Sequence, residues 1–177
     1  DDGFVDAHNW LFTVRGIPVV YYGSETGFMR GHGEHGGNRA YFGQERIDAA
    51  PDSPIFAPLR RIATLRRESP ALQRGLQINL ALEGDKAAFY RVYQRDGVTQ
   101  TALVLLNKGD AARNIVVGEL VQPGRWRDAF DGGWVEIGER IDIEVPAHGV
   151  RVLLFDAPLT DPALRERLSA GMARARG

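Results

Sequence analysis

The strongest constraint on the fold is a change in hydrophobic period at Gly75. Before it, apolar residues recur at helical spacing from Phe4 to Arg15 and then form a continuous run from Ile17 to Tyr22. After it, apolar residues alternate with polar or small ones, as in Leu76 to Leu82. A period near 3.6 indicates a helix, and a period of two indicates a half-buried strand. The sequence therefore predicts a helix–strand–helix unit followed by an all-β unit.

The run from Ile17 to Tyr22 is rich in β-branched and aromatic residues, which favours a strand buried on both faces of a parallel sheet. A loop from Gly23 to Pro51 follows it, and a second helix opens at Pro54. One parallel strand cannot form a sheet by itself. Its partners are expected in a missing part of the chain or in another chain, and residues 4–51 are expected to be ordered only when covered.

The β unit contains at least seven segments of strand length, separated by turn signals such as Asp96-Gly97 and Gly132-Gly133. Such spacing is typical of an antiparallel Greek-key sandwich. A last helix opens at Pro162 and is expected to be a mostly solvated, arginine-rich tail. The predicted domain boundaries are 1–75, 76–158 and 159–177.

Composition excludes several classes of function. The 177-residue chain has a formal net charge of −1, so no global field attracts it to nucleic acid or to a membrane surface. It has no cysteine, which excludes disulfides, thiolate catalysis and cysteine-ligated zinc. No apolar stretch reaches the roughly 20 residues of a membrane span. Asp1-Asp2-Gly3 does not resemble a signal peptide, and a mature chain, a processed product or a fragment is expected.

The loop contains a literal G-x-G-x-x-G at Gly31 to Gly36. A dinucleotide-binding turn needs the first glycine directly after a strand and the last one at the start of a helix. Here Gly31 lies eight residues after Gly23, and the residues after Gly36 are not amphipathic. The motif is therefore interpreted as loop chemistry rather than as a nucleotide site.

Histidine and tryptophan residues raise two further alternatives. His32 and His35 could share a metal ion, but the surrounding glycines argue against the helix that would bring them together. His8 is interpreted as a helix-surface residue and His148 as a turn residue. Two tryptophans could stack on sugar rings, although membership of the sandwich core is favoured for both, Trp126 and Trp134.

Several motifs resemble one known family. R-G-I-P-V-V-Y-Y-G-S-E at Arg15 to Glu25, followed by G-N-R at Gly37 to Arg39, resembles the end of the catalytic barrel in the α-amylase family, glycoside hydrolase family 13. S-P-A-L at Ser69 to Leu72 resembles the exit from its last barrel helix. ALVLLNKGD and VPAHGVRVLLF resemble strands of its C-terminal β-sandwich. Within the family, the loop is most similar to cyclomaltodextrin glucanotransferases and to periplasmic or secreted α-amylases.

The resemblance implies an α+β chain: the final β/α unit of a TIM-type (β/α)8 barrel followed by the Greek-key sandwich. It also implies that the glycine-rich loop lies at the C-terminal face of a barrel strand, where such enzymes build their sugar subsites. Family members are retaining enzymes that use an attacking carboxylate, an acid–base carboxylate and a supporting aspartate. None of these maps onto this chain, so no catalytic residue is assigned and the chain alone is expected to be inactive.

Three candidate substrate-binding residues follow from the same resemblance. Arg39 matches a family arginine that contacts donor-side sugars, and Asn38 belongs to the same motif. His35 stands where relatives often carry an acidic residue, which puts the detailed subsite in doubt. Arg39 could instead serve only to fix the loop to the barrel rim, and both interpretations stay open here.

No cofactor is assigned. Many relatives bind calcium, but the resemblance implies ligands from earlier segments. The implied partners are α-glucan oligosaccharides and the missing N-terminal barrel segment, with neither nucleic acid nor membrane. The implied location is periplasmic or secreted, although no residue indicates it directly. Hydrolysis, transglycosylation and cyclisation are not distinguished. The alternative function is a non-catalytic β-sandwich carbohydrate-binding module.

Overall fold

The computed structural model describes residues 1–28 and 41–174, which form helices packed on an antiparallel β-sandwich. The helices are α1 (Asp2–Thr13), α2 (Gln44–Ala49), α3 (Phe56–Glu68), α4 (Pro70–Arg74) and α5 (Pro162–Arg174). The strands are β1 (Leu76–Glu83), β2 (Lys86–Arg95), β3 (Val98–Asn107), β4 (Arg113–Val117), β5 (Gly124–Asp128), β6 (Trp134–Ile137), β7 (Ile141–Val145) and β8 (Gly149–Phe155). Two short 3-10 turns lie at Ser24–Thr26 and Ala50–Asp52.

Six strands form one sheet in the order β1-β2-β3-β8-β5-β6, and β4 pairs with β7 in a second sheet. All these pairings are antiparallel. The chain leaves the large sheet after β3, returns to it for β5 and β6, crosses again for β7 and closes beside β3 with β8. This arrangement confirms the predicted α+β class and the Greek-key sandwich. The strand β6 was not predicted, because four residues are too few to establish a period of two.

The first face of the large sheet forms the core between the two sheets. Trp126 is fully buried at its centre, with ring centroids 6.0 Å from Tyr90 and 5.0 Å from Phe155. Leu164 of α5 is also fully buried in this core, and Leu168 packs against it. A two-stranded sheet is too narrow to cover six strands, so α5 covers part of the remainder. Leu164 and Leu168 therefore anchor the last helix to the sandwich, while most of its other residues are exposed, as expected for an arginine-rich tail.

The second face of the large sheet is apolar as well, and the helices of the N-terminal part cover it. One continuous cluster joins residues of α3 and α4 to residues of β2, β3 and β8, and its members are Leu59, Ile62, Leu65, Ala71, Leu72, Ala87, Phe89, Ala102, Val104, Leu106, Val152 and Leu154. Phe12 and Val14, at the end of α1 and just after it, pack against the cluster. The strands β2 and β3 are consequently buried on both faces. The cluster on the second face is a core that the helical unit and the sandwich share.

The junction between the two units depends on a cap and a close approach. The Ser69 hydroxyl accepts a hydrogen bond from the Leu72 amide at 3.2 Å, which caps α4, and Pro70 occupies its first turn. At Gly75, where α4 meets β1, a Cβ atom would lie 2.4 Å from the Ala71 carbonyl oxygen and 2.9 Å from the Val92 amide nitrogen. Because both neighbours are backbone atoms, only glycine fits at this boundary.

The structure differs from the predicted buried strand at Ile17 to Tyr22. This segment has no strand partner among the described residues, and Ile17 and Val19 are 89% and 73% exposed. Only Val20 packs against the second-face cluster. A parallel strand forms only beside neighbours, and the strands of the described residues all belong to the two antiparallel sheets. The apolar sequence of the segment therefore has no matching burial here.

Candidate functional site

The candidate site is the glycine-rich loop that follows the extended segment, and the structure describes both ends of this loop. Gly23 has a φ of 79°, and a Cβ atom there would lie 2.6 Å from the Phe28 Cβ. Its carbonyl oxygen accepts hydrogen bonds from the amides of Thr26 and Phe28, both at 3.1 Å. The chain thus turns sharply after Tyr22, a geometry that glycine permits and other residues resist.

Three aromatic rings close the base of this loop. The ring centroids of Tyr22, Phe28 and Phe42 lie 4.9 to 5.9 Å apart, each pair in an edge-to-face arrangement. The Phe42 amide also donates a hydrogen bond of 2.9 Å to the Tyr22 hydroxyl. The Arg46 guanidinium lies 4.7 Å from the centroid of the Phe28 ring. These contacts hold the two ends of the loop together, directly after the segment Ile17 to Tyr22.

The predicted substrate-binding residues Arg39, Asn38 and His35 lie outside the described residues, as does His32. Their predicted roles therefore stay predictions. The aromatic base was not predicted from sequence. The signal for it was present, because aromatic residues flank the glycine-rich stretch on both sides at Phe28 and at Tyr41-Phe42.

Two buried arginines hold the end of α1, which leads into the extended segment. Arg66 of α3 donates to the carbonyl oxygens of Phe12 at 2.9 Å and Val14 at 3.0 Å, and also to that of Gly16. Arg91 of β2 donates to two further carbonyl oxygens, those of Thr13 at 2.7 Å and Gly75 at 3.1 Å. The last carbonyls of a helix lack partners within it, and these side chains satisfy them from α3 and from the sandwich.

Burial lowers the pKa of the Arg91 guanidinium to about 10, and the charge of Arg66 contributes to the decrease. Burial lowers the pKa of Arg66 as well. Arg91 stays a cation at neutral pH, which suits the partial negative charge at a helix C-terminus. An arginine beside the apolar stripe of a helix is usually solvated, whereas Arg66 is 7% exposed. A lone arginine inside the apolar strand Ala87 to Gln94 was the available signal for Arg91.

His8 is not the helix-surface residue that its sequence context predicted. Its side chain is 6% exposed, and its Nδ1 atom has no hydrogen-bond partner among the described residues. Burial lowers the pKa of His8, against the opposite effect of the Glu25 carboxylate. His8 is thus a core imidazole in its neutral form at pH 7, near enough to the turn containing Glu25 for that carboxylate to affect its pKa.

The two sandwich tryptophans have different environments. Trp126 is fully buried, as predicted, and its Nε1 donates to the Gln122 carbonyl oxygen at 3.2 Å. Trp134 is 56% exposed, which corrects its predicted place in the core. It lies on β6 at the end of the large sheet, and the Arg125 guanidinium lies 4.4 Å from its ring centroid.

Within residues 1–28 and 41–174, no three histidine, aspartate or glutamate side chains are placed to share a metal ion. The helices in that part of the chain include none with the length and apolar character needed to cross a bilayer.

Comparisons with known proteins agree on one group of enzymes, although no family model matches the chain. A cyclomaltodextrin glucanotransferase from Klebsiella oxytoca is 30% identical over 118 residues, which cover 63% of this chain and 17% of that protein. An α-amylase from Streptomyces lividans is 28% identical over 185 residues, which cover 92% of this chain and 20% of that protein.

Solved structures of the same two kinds of enzyme share the fold of this chain. The α-amylase from Geobacillus thermoleovorans, solved with acarbose, matches with a TM-score of 0.70 at 24% identity, over 91% of this chain and 34% of that one. A cyclomaltodextrin glucanotransferase with a three-domain distribution matches with a TM-score of 0.65 at 25% identity, over 89% of this chain and 33% of that one.

The chain spans about a fifth of the length of these curated relatives and about a third of the solved chains. Its matches include both the helical unit and the sandwich, since they extend over most of its residues. Over most of its length the chain is similar to enzymes of the α-amylase superfamily, glycoside hydrolase family 13, consistent with a C-terminal part of such an enzyme.

Proposed function

We propose that the chain is the C-terminal part of a retaining α-glucan-acting glycosidase or transglycosylase. In this proposal it supplies one wall of the substrate site and a structural sandwich, while the catalytic carboxylates belong to the rest of the enzyme. The observation that carries the proposal is the closed aromatic base of the loop at the end of an apolar extended segment. The names of the curated relatives support the substrate class.

In this proposal, catalysis and substrate binding belong to different parts of the enzyme. A retaining glycosidase needs two carboxyl groups about 5–5.5 Å apart, one as the nucleophile and one as the acid and then the base. In this proposal Arg39 and Asn38 of the loop donate hydrogen bonds to sugar hydroxyls, and His35 precedes them in the sequence. Arginine suits this role because its guanidinium is a planar, permanently charged donor.

The partner within the enzyme is the remainder of the barrel. Ile17, Val19, Tyr21 and Tyr22 are all more than 45% exposed in this chain. Apolar strand sequences of this kind are covered by neighbouring strands and helices in a parallel barrel. We therefore assign the exposed face of the segment to contacts with barrel strands that this chain does not contain.

The first test is an activity assay on the purified chain with soluble starch and maltodextrins. We expect no release of reducing sugar and no cyclisation, because none of the family's catalytic carboxylates maps onto this sequence. Reproducible activity that survives Arg39→Ala would contradict the proposal.

A second test replaces the matched C-terminal part of the Streptomyces lividans α-amylase with this chain. We expect the chimera to be active, and Arg39→Ala to weaken oligosaccharide handling by about 1–3 kcal/mol through the loss of a charge-assisted hydrogen bond. Arg30→Ala, in the same loop but outside the Gly37-Asn38-Arg39 motif, is the matched control. Equal kinetics for the Arg39 variant and its parent on short and long maltodextrins would favour the loop-fixing role.

One observation favours the alternative function, a carbohydrate-binding module. Trp134 presents an exposed indole whose orientation is held by Arg125, and an exposed indole face can stack on a sugar ring. Affinity electrophoresis of the whole chain in gels containing amylopectin tests it. Retardation that Trp134→Ala abolishes and Val116→Ala leaves intact would support a module, and unretarded migration of the parent chain would exclude it.

A further inference from the structure

His148 lies on the turn between β7 and β8, where the sandwich meets α1. Its backbone has a φ of 49°, in the left-handed region that non-glycine residues seldom adopt, and its amide donates to the Gly109 carbonyl oxygen at 3.3 Å. This conformation places the imidazole against the side of α1. The ring is mostly covered, with 22% of the side chain exposed.

Both ring nitrogens of His148 lie within hydrogen-bond distance of a carboxylate. Nδ1 is 2.9 Å from Asp6 Oδ2, on α1, and Nε2 is 3.0 Å from Asp110 Oδ1, on the turn between β3 and β4. A neutral imidazole has a single N–H, whereas an ionised carboxylate only accepts. The two contacts can both be hydrogen bonds to ionised carboxylates only when the imidazole carries two protons.

The charges around the ring favour the same state. Besides Asp6, α1 contributes the more distant Asp2 carboxylate. The α3 helix contributes Arg61, which lines the same cleft, but its guanidinium lies 3.9 Å from the centroid of the Phe130 ring. The nearest lysine on the β3–β4 side, Lys108, lies 3.4 Å from the Asp85 carboxylate.

We propose that His148 forms a pH-dependent ionic bridge that holds α1 against the sandwich. In the protonated state the imidazolium bridges Asp6 and Asp110, and α1 is held at this point in addition to its arginine-bound C-terminal end. Deprotonation removes one donor and the positive charge together. One carboxylate then loses its hydrogen bond, and the contact between helix and sandwich weakens.

The sign of the pH dependence follows from the contacts. The hydrogen bond with Asp6 has the largest effect in raising the pKa of His148 above its ordinary value, and the bond with Asp110 and the charges of Asp6 and Asp2 add to it. Because the folded pKa exceeds the unfolded one, the stabilisation is complete below pH about 6.5 and is lost as the pH rises through the folded pKa. The ionic bridge is therefore formed in mildly acidic solution and is lost on the alkaline side.

The test is an NMR titration of the histidine ring protons in the full chain, with His148 assigned by comparison with His148→Gln. We expect a His148 pKa above the ordinary histidine value, a decrease in Asp6→Asn and a smaller decrease in Asp110→Asn. Asp110 is fully exposed, so this variant keeps the fold and remains informative if Asp6→Asn does not. Asp96→Asn, on the β2–β3 turn at the other end of β3 from Asp110, is the matched control and should leave the titration unchanged.

Amide exchange of α1 supplies the structural readout. After correction for the intrinsic rate, exchange of the α1 amides should accelerate as the pH rises through the His148 pKa, and His148→Gln should remove this dependence. The double variant His32→Gln/His35→Gln should retain it, because those histidines lie elsewhere in the sequence. A His148 pKa at or below the ordinary value, or α1 exchange with the same pH dependence in His148→Gln, would overturn the proposal.

Discussion

At the scale of single residues, two neighbours on α3 have opposite roles although their side chains are identical. Arg66 is 7% exposed and binds three main-chain carbonyls at the end of α1. Arg67 points to solvent with 78% of its side chain exposed, and its carboxylate neighbour Glu68 is 4.0 Å away. The difference depends only on which side of the helix faces the second-face cluster. The same substitution at both positions therefore separates burial from residue type.

Arg66→Met should destabilise the chain by about 1.5–3 kcal/mol, because charge-assisted hydrogen bonds are lost and buried carbonyls are left without donors. Arg67→Met should change the free energy of unfolding by less than about 0.5 kcal/mol, since exposed ion pairs contribute little. Urea unfolding followed by circular dichroism measures both values. Similar small changes in the two variants would mean that the carbonyls find other partners and that Arg66 does not hold α1.

At the scale of elements, the segment from Ile17 to Tyr22 has a strand sequence without strand neighbours. Five apolar side chains in a full barrel would contribute about 7–15 kcal/mol on burial, as an upper estimate. That equals the stability of a typical domain, about 5–15 kcal/mol. An apolar segment of this kind has a strong tendency to become buried against another protein surface, either in the same enzyme or in a second copy of the chain.

We expect the purified chain to self-associate through this segment. The double variant Ile17→Asp/Val19→Asp should shift it toward monomer, because the charges oppose burial of the segment. Light scattering over a range of protein concentrations measures the change. Val98→Asp/Val116→Asp, at exposed strand positions, is the control and should leave association unaffected. A monomeric parent chain with slow amide exchange at Val19 to Tyr22 would show that the segment is ordered without burial against a second surface.

The junction element makes a second prediction at this scale. Gly75→Ala should destabilise the chain by about 1–3 kcal/mol, since the new Cβ would overlap backbone atoms of α4 and β2 that cannot move independently. Gly138→Ala is the matched control, because a Cβ there meets open space and the change should cost less than about 0.5 kcal/mol. Thermal unfolding of both variants measures the difference, and equal midpoints would contradict the packing argument.

Elements with a local signal could be predicted from sequence, whereas those that depend on distant partners could not. The alternation of apolar residues located most of the strands, and Pro162 marked the start of α5. The predicted strand at Ile17 to Tyr22 depended on strand neighbours that are absent from the described residues. The burial of Arg66 and His8 depended on how helices pack against the sheet, which helical periodicity does not specify when a polar residue lies beside the apolar stripe.

At the scale of the whole molecule, the sandwich and the helical unit share the apolar cluster on the second face of the large sheet. Residues 76–158 are predicted to be one domain, and most of the core on the first face of the large sheet lies within that range. The second face of the sheet is also apolar, and α1, α3 and α4 cover it. The inter-sheet core also includes Leu159 and Leu164, which lie beyond that range.

The last prediction therefore concerns a fragment of residues 75–158. Exposing only Phe89, Val104 and Val152, which are fully buried in the whole chain, would cost about 5–9 kcal/mol, as much as many domains have in total. We expect the fragment to bind a hydrophobic dye, to lack a sharp near-ultraviolet circular dichroism spectrum and to aggregate. A fragment of residues 53–174 restores α3, α4 and α5 and should recover cooperative unfolding. If residues 75–158 alone unfold cooperatively as a monomer, with a stability close to that of the whole chain, the second face does not need its helices and the sandwich is an independent module.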